Sequence, residues 1–341
     1  MSNMIPIIPR FYCDWINYLI HIGRMATTDV SISGLSMGAD SSVIEMFDMT
    51  PSNLQTITAS GLTAQGIITI NTNITTDDVQ DTSFVLILGH NLKQADAKFV
   101  FQHSDDASFT GGGGTEVRNP ALTEVINIGG DVAAGSEGPG NGNYATPASN
   151  GYSLFTFTPG SDNQYMRFLI DDVNNDNYDA DIKIGCILVG KYVDAPNRPD
   201  QAKTFNLEQS SKLVQTDGGM TYSNMKAVRG PNWFLSPYEV GTGSSPTIIT
   251  RSGRYAQDWT FSFVLDANFI PDNFQTSTNL LTGTTMLNIL QYTADSHFPC
   301  FIQLDNTGKT EFLFARIIPQ GPPTTASPGI WTVRWRIVEE Y

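Results

Sequence analysis

The chain has 341 residues, 40% of them hydrophobic and 11% aromatic, which is enough for two domains with real cores. Only 16% are charged and the formal net charge is −15, with no Lys/Arg run set apart, so a surface that grips nucleic acid is excluded. Three distant cysteines without a CxxC argue against a disulfide framework and a zinc cluster, and no apolar run nears the roughly 18 residues of a membrane span.

With 30 Gly and 18 Pro, the composition favours many short strands over long helices. The cysteine usage fits a reducing compartment. The hydrophobic N-terminus, "MIPIIPRFYCDWINYLIHIG", is interrupted by Pro6, Pro9, Arg10, Asp14 and His21, and makes a poor signal peptide. Within it, Phe11, Trp15 and Leu19 lie four apart, with Ile16 and Ile20 on an adjacent stripe. That spacing predicts a helix over 11–23, ending at Gly23. Such a helix docks on its own domain, or serves as an arm that docks on a neighbouring subunit.

From about 27 to 80 the text is β-like, with "GIITINTN" alternating between faces. "SFVLILGH" is continuously apolar, so both of its faces should be buried. "AKFVFQHS" alternates, with Phe99, Phe101 and His103 on one side and Lys98, Val100 and Gln102 on the other. The glycine-rich 129–151 reads as a long surface loop. "GYSLFTFTP", "QYMRFLIDD" and "DIKIGCILVGKYV" supply three further strands, and Pro196 and Pro199 mark a boundary.

Beyond it, Asp217–Gly219 is a hairpin turn between two alternating strands. "RYAQDWTFSFVLD" predicts a strand with Trp259, Phe261 and Phe263 at period two. "TTMLNILQYTAD" predicts a short helix capped by Thr284 or Thr285. "FPCFIQLD", "EFLFARI" and "GIWTVRWRIVEEY" close the chain as strands, the last with Trp331, Val333, Trp335 and Ile337 on one face. The expected organisation is an N-terminal arm with a short helix (1–26), a β-sandwich (27–197) and a second antiparallel β domain with a short helix (198–341).

Chemistry is sparse. His90 and His103 sit where a general base would need an orienting carboxylate and a nucleophile, and neither signature accompanies them. His90 with Asn91 reads instead as a corner, their side chains bonded to loop backbone. His21 and His297 are scattered, with no HExxH. In "DDVNNDNYDADIK", Asp172, Asn174 and Asp176 have the rhythm of an EF-hand, but Asn177 and Lys183 stand where Gly and Glu are needed. A calcium site of another kind stays open there, against a solvated Asn/Asp turn. "TGGGGT" lacks the Lys-Ser/Thr of a phosphate loop. Cys13 and Cys300 lie in apolar surroundings that suit inert core thiols. No catalytic, cofactor or metal residue is nominated.

The order of these elements carries a resemblance. "FVLILGHNLKQADAKFVFQHSDD", then Tyr165 and Arg167 in "YMRFLIDD", then Ile182–Gly190 in "IKIGCILVG", resemble the discoidin-like (galactose-binding-like) sandwich found in tail proteins of tailed bacteriophages. The "WTFSF" strand, short helix and Trp/Arg-rich C-terminal strand look like distal-tail baseplate proteins, more loosely. The resemblance implies a jelly-roll sandwich and a non-enzymatic virion subunit at the tail tip or baseplate, assembled in the host bacterial cytoplasm. Its partners would be copies of itself in a ring and neighbouring tail proteins, without nucleic-acid binding, membrane insertion or a cofactor. Two alternatives stand beside it. One is a host-attachment module that binds a surface glycan, with Tyr144 and Tyr178 as loop aromatics. The other is a capsid decoration protein.

Overall fold

The computed structural model describes residues 7–73, 83–104, 107–109, 124–126, 133–134, 145–147, 151–157, 164–172, 177–200, 204–208, 211–225, 229–230, 251–252, 254–271, 283–306 and 312–340. The chain is mainly β, a sandwich followed by a second antiparallel part with short helices. One sheet of the sandwich runs Val30–Ser33, Gly66–Asn71, Tyr165–Asp172, Ala97–Ser104, Ala145–Thr146, Ala133–Ala134. Against it packs a second sheet containing Cys186–Asp194, Ser83–His90 and Gly151–Phe157. Phe99 and Phe101 on the first meet Phe155 on the second, with centroids 5.9 and 6.1 Å apart, and Phe168 packs beside Phe101 at 5.0 Å. The continuously apolar run behaves as its composition requires: every residue of Ser83–His90 is buried. Val85 and Ile87 enter the sandwich core, while Phe84, Leu86 and Leu88 enter a second cluster on the opposite face.

The N-terminal segment departs from the predicted helix. Arg10–Asp14 is a strand, and only Ile16–His21 is helical. The strand pairs with Cys186–Asp194 on one side and Cys300–Gln303 on the other. It therefore sits inside one sheet that continues through Phe312–Pro319, Ile330–Glu339 and Arg254–Leu265 to Thr204–Glu208. Phe11, Tyr12 and Cys13 are fully buried within their own chain, which removes the reading of this stretch as an arm for a neighbour. The physical reason is that a short run of large apolar residues fits a central strand as well as a helix face, and the slot between two sheet halves decides. Gly190 makes the approach possible, since a Cβ there would lie 1.9 Å from the Cys13 carbonyl oxygen.

The side chains of the first strand alternate. Phe11 meets Trp335 edge-on at 5.5 Å and Trp259 at 6.3 Å. Tyr12 faces the other way, against Phe84 at 5.0 Å, and its hydroxyl donates to Gln303 Oε1 at 2.7 Å. Around the expected boundary, strands from both sides share this sheet. Ala195 N–H donates to Pro9 O at 2.9 Å and Asp200 N–H to Thr260 O at 2.7 Å.

In the second part, the expected strands, hairpin and helix form. Ser211–Gln215 pairs with Thr221–Met225 around the predicted turn. Met286–Tyr292 is helical, and Asn288 Oδ1 accepts from the Thr285 N–H and hydroxyl at 3.2 and 2.7 Å. Val333, Trp335 and Ile337 are buried as alternation requires, and Arg334 between them is exposed. The "TGGGGT" run lies outside the described residues. Of 129–151, residues 133–134, 145–147 and 151 are described, and the first two stretches pair as strand, so part of the expected loop is sheet.

Candidate functional site

The His90 corner forms as the sequence implies. Gly89 turns the chain at φ +65°, where a Cβ would meet Pro51 O at 2.7 Å. The Leu92 N–H donates to His90 Nδ1 at 3.4 Å, which leaves Nε2 as the protonated nitrogen, 2.9 Å from Ser153 Oγ. Asn91 Nδ2 donates to Asp181 O at 3.0 Å, and Asn91 Oδ1 accepts the Lys183 N–H at 2.6 Å. His90 is 0% exposed, and burial lowers its pKa to about 3. A histidine that donates to the nearby serine, carries no charge and touches no solvent does not activate that serine. The pair ties the end of Ser83–His90 to its neighbouring strand Gly151–Phe157.

The other sequence candidates separate. His103 is buried in its strand. His21 and His297 come together at the surface, with ring centroids 6.3 Å apart, and His21 packs edge-on to Phe298 at 5.7 Å. Among the described residues no group of three metal-ligating side chains assembles. Asn174 and Asp176 of the acidic loop lie outside the described residues. Tyr144 does too. Tyr178 is 1% exposed and its hydroxyl donates to Ile170 O at 3.0 Å and Ala64 O at 3.2 Å, so it offers no platform to a sugar. Arg167 of the aromatic-Arg pair donates to Gln102 Oε1 at 2.7 Å and lies over the Phe109 ring at 4.1 Å.

A place that sequence reading missed is the end of the Arg254–Leu265 strand. Its pairing with Ile330–Glu339 slips between Phe261 and Val264: Phe261 opposes Val333, and Val264 opposes Trp331. Ser262 and Phe263 thus face a single residue, which is a β-bulge. Phe263 adopts φ +60° and is 74% exposed, while Val264 takes the core position. This corrects the period-two reading that placed Phe263 beside Trp259 and Phe261. The signal was present in the adjacent pair Phe263-Val264, only one of which can point inward.

The bulge is pinned from the 197–200 segment. Asn197 Nδ2 donates to Ser262 O at 2.7 Å, and Ser262 Oγ donates to Asp200 Oδ2 at 2.7 Å. Arg198, Pro199, Asp200, Ser262 and Phe263 line an open cavity of about 360 Å³. Leu265 next to it is 57% exposed. A bulky residue in the left-handed region costs on the order of 1 kcal/mol, and the fold holds it there with its ring in water. Hydrophobic side chains also project from the hairpin. Every residue from 214 to 222 is exposed, including Val214 at 48%, Met220 at 64% and Tyr222 at 59%.

No known protein family, no curated protein and no solved structure matches the chain. No helix among the described residues is long and apolar enough to cross a membrane. What the geometry offers is contact: preorganised apolar side chains on a bulge and a hairpin.

Proposed function

We propose that this chain is a structural protein of a tailed-bacteriophage virion, a tail-tip or baseplate subunit that closes a homo-oligomeric ring and works by contact, not catalysis. The observation that carries the proposal is the hairpin. A two-stranded ribbon is marginal by itself in water, yet this one presents Val214, Met220 and Tyr222 to solvent. A second copy that covers those side chains accounts for them. The bulge-held Phe263 and Leu265 offer a second apolar contact of the same kind. The resemblance of the element order to phage tail sandwiches supports the assignment, as does a buried, inert His90 where a catalyst would need an open one. A net charge of −15 suits a ring that lets DNA pass without gripping it. In this assignment the protein is assembled in the host bacterial cytoplasm and resides in the virion tail.

Light scattering on purified protein, with negative-stain images, tests the ring. Closed rings of one size are the expected result. A monomer at all concentrations would count against it. The triple variant Val214→Ser, Met220→Ser, Tyr222→Ser is expected to shift the mass toward monomer while the melting temperature of the monomer stays within about 2 °C, because none of these side chains is in the core. An unchanged ring would remove the hairpin as the contact.

Phe263→Gly separates strain from contact. Glycine takes φ +60° freely, so stability is expected to hold or to rise by up to about 1 kcal/mol. Weaker association in the same variant would assign the ring of Phe263 to an interface. Loss of stability with intact association would assign it a purely structural role.

A further inference from the structure

The first strand and Cys300–Gln303 run antiparallel, with Arg10 opposite Gln303, Phe11 opposite Ile302 and Tyr12 opposite Phe301. Each pair of residue numbers adds to the same total, so the next rung of that register sets Cys13 opposite Cys300. Both residues belong to these strands, and both are 0% exposed. The Cys13 and Cys300 side chains belong to the same buried cluster, on one face of the sheet. Opposed Cα atoms in an antiparallel pair stand about 4.5–5.5 Å apart, inside the roughly 4.4–6.8 Å that a disulfide spans. Cys186 faces the opposite cluster, away from Cys13.

We infer that Cys13 and Cys300 form a dithiol site that closes to an intramolecular disulfide, stapling the N-terminal strand into the centre of the sheet, with a low-molecular-weight disulfide as the oxidant. This does not depend on what the assembled protein does. The thiolate of one cysteine attacks a sulfur of the oxidant and expels one thiolate, leaving a mixed disulfide. The second cysteine gives up its proton, attacks the protein sulfur and expels the other thiolate. Two protein thiols are oxidised and one small disulfide is reduced to two thiols.

All three cysteines are free in this structure. Burial pushes the Cys300 thiol well up, which leaves little thiolate for attack once the strand is seated. Closure is therefore fast while the first strand is still docking and slow afterwards. A chain made under reducing conditions folds open, and one that folds or breathes under oxidising conditions becomes locked. The cross-link would join residues 287 apart (300 − 13), a separation at which constraint of the unfolded chain is large.

The experiment is refolding from denaturant with oxidised glutathione, followed by intact mass and peptide mapping without reductant. The expected result is loss of two hydrogens, a link between the Cys13 and Cys300 peptides, and Cys186 still open to alkylation. The melting temperature should rise by about 5 °C and fall back on reduction. The Cys13→Ser variant should lose no hydrogens and show no shift. If the chain does not refold, folded protein held with oxidised glutathione just below its melting temperature is mapped instead. Glutathione adducts without the link, links through Cys186, or no reaction in either format would overturn the inference.

Discussion

A chain lacking residues 1–24 is expected not to fold. The deletion removes the strand Arg10–Asp14, which is bonded on both edges, and the helix behind it. Phe11 would leave the edge-on cage of Trp259 and Trp335. Tyr12 would leave Phe84, and the hydrogen bond from its hydroxyl to the buried Gln303 Oε1 would be lost. The facing edges of two strands would be exposed together. Far-UV circular dichroism and a thermal melt check this, and the expected outcome is an insoluble product or one with no cooperative transition. A soluble chain that melts as the full-length protein does would show that the strand is dispensable. Phe11→Ala is the graded version. Truncation of a fully buried aromatic costs about 3–5 kcal/mol, read as a lower midpoint in urea at unchanged slope. The same figure at Phe263, which is 74% exposed, is expected to be near zero.

Where local pattern and tertiary context agree, the sequence is readable. The unbroken apolar run of Ser83–His90 implies two buried faces, and two clusters cover it. Asp217–Gly219 implies a hairpin, and one forms. His90 with Asn91 implies a corner, and their partners are loop backbone and Ser153. The failures share a cause. Phe11, Trp15 and Leu19 satisfy a helix period, but the sheet has a vacancy between Cys186–Asp194 and Cys300–Gln303 that only residues distant in sequence can fill. Phe263 satisfies a strand period until the bulge hands its place to Val264. Cys13 and Cys300 look unrelated until that same vacancy brings them side by side. Nothing within a window of a dozen residues encodes which strands become neighbours.

Acid is expected to destabilise the protein through His90, against an opposing effect from Asp14. His90 titrates near 6.5 in an unfolded chain and at about 3 when folded, because burial disfavours its charge. A lowered folded value contributes stability that is complete above 6.5 and is lost as pH falls toward 3, in total ~5 kcal/mol. Asp14 behaves in the opposite sense. Its carboxylate accepts the Asn17 N–H and Nδ2–H, each at 2.8 Å, and the Val189 N–H at 3.1 Å. Those bonds favour the charge, but full burial outweighs them and raises the pKa from 3.8 to about 6. Its contribution is present below 3.8 and is lost as pH rises through 6, so Asp14 gains stability over the range in which His90 loses it. Between pH 6 and 4 the two slopes nearly cancel, and below 4 only the loss remains. Single variants uncouple them. The stability gap between wild type and His90→Gln should narrow by ~1.4 kcal/mol for each pH unit lowered from 6 to 4, and the gap to Asp14→Asn should widen by a similar amount. Urea denaturation at each pH measures both gaps, and comparing gaps cancels the other carboxylates. A flat gap for His90→Gln would mean that the imidazole is charged in the folded protein, against the Leu92 N–H that points at Nδ1.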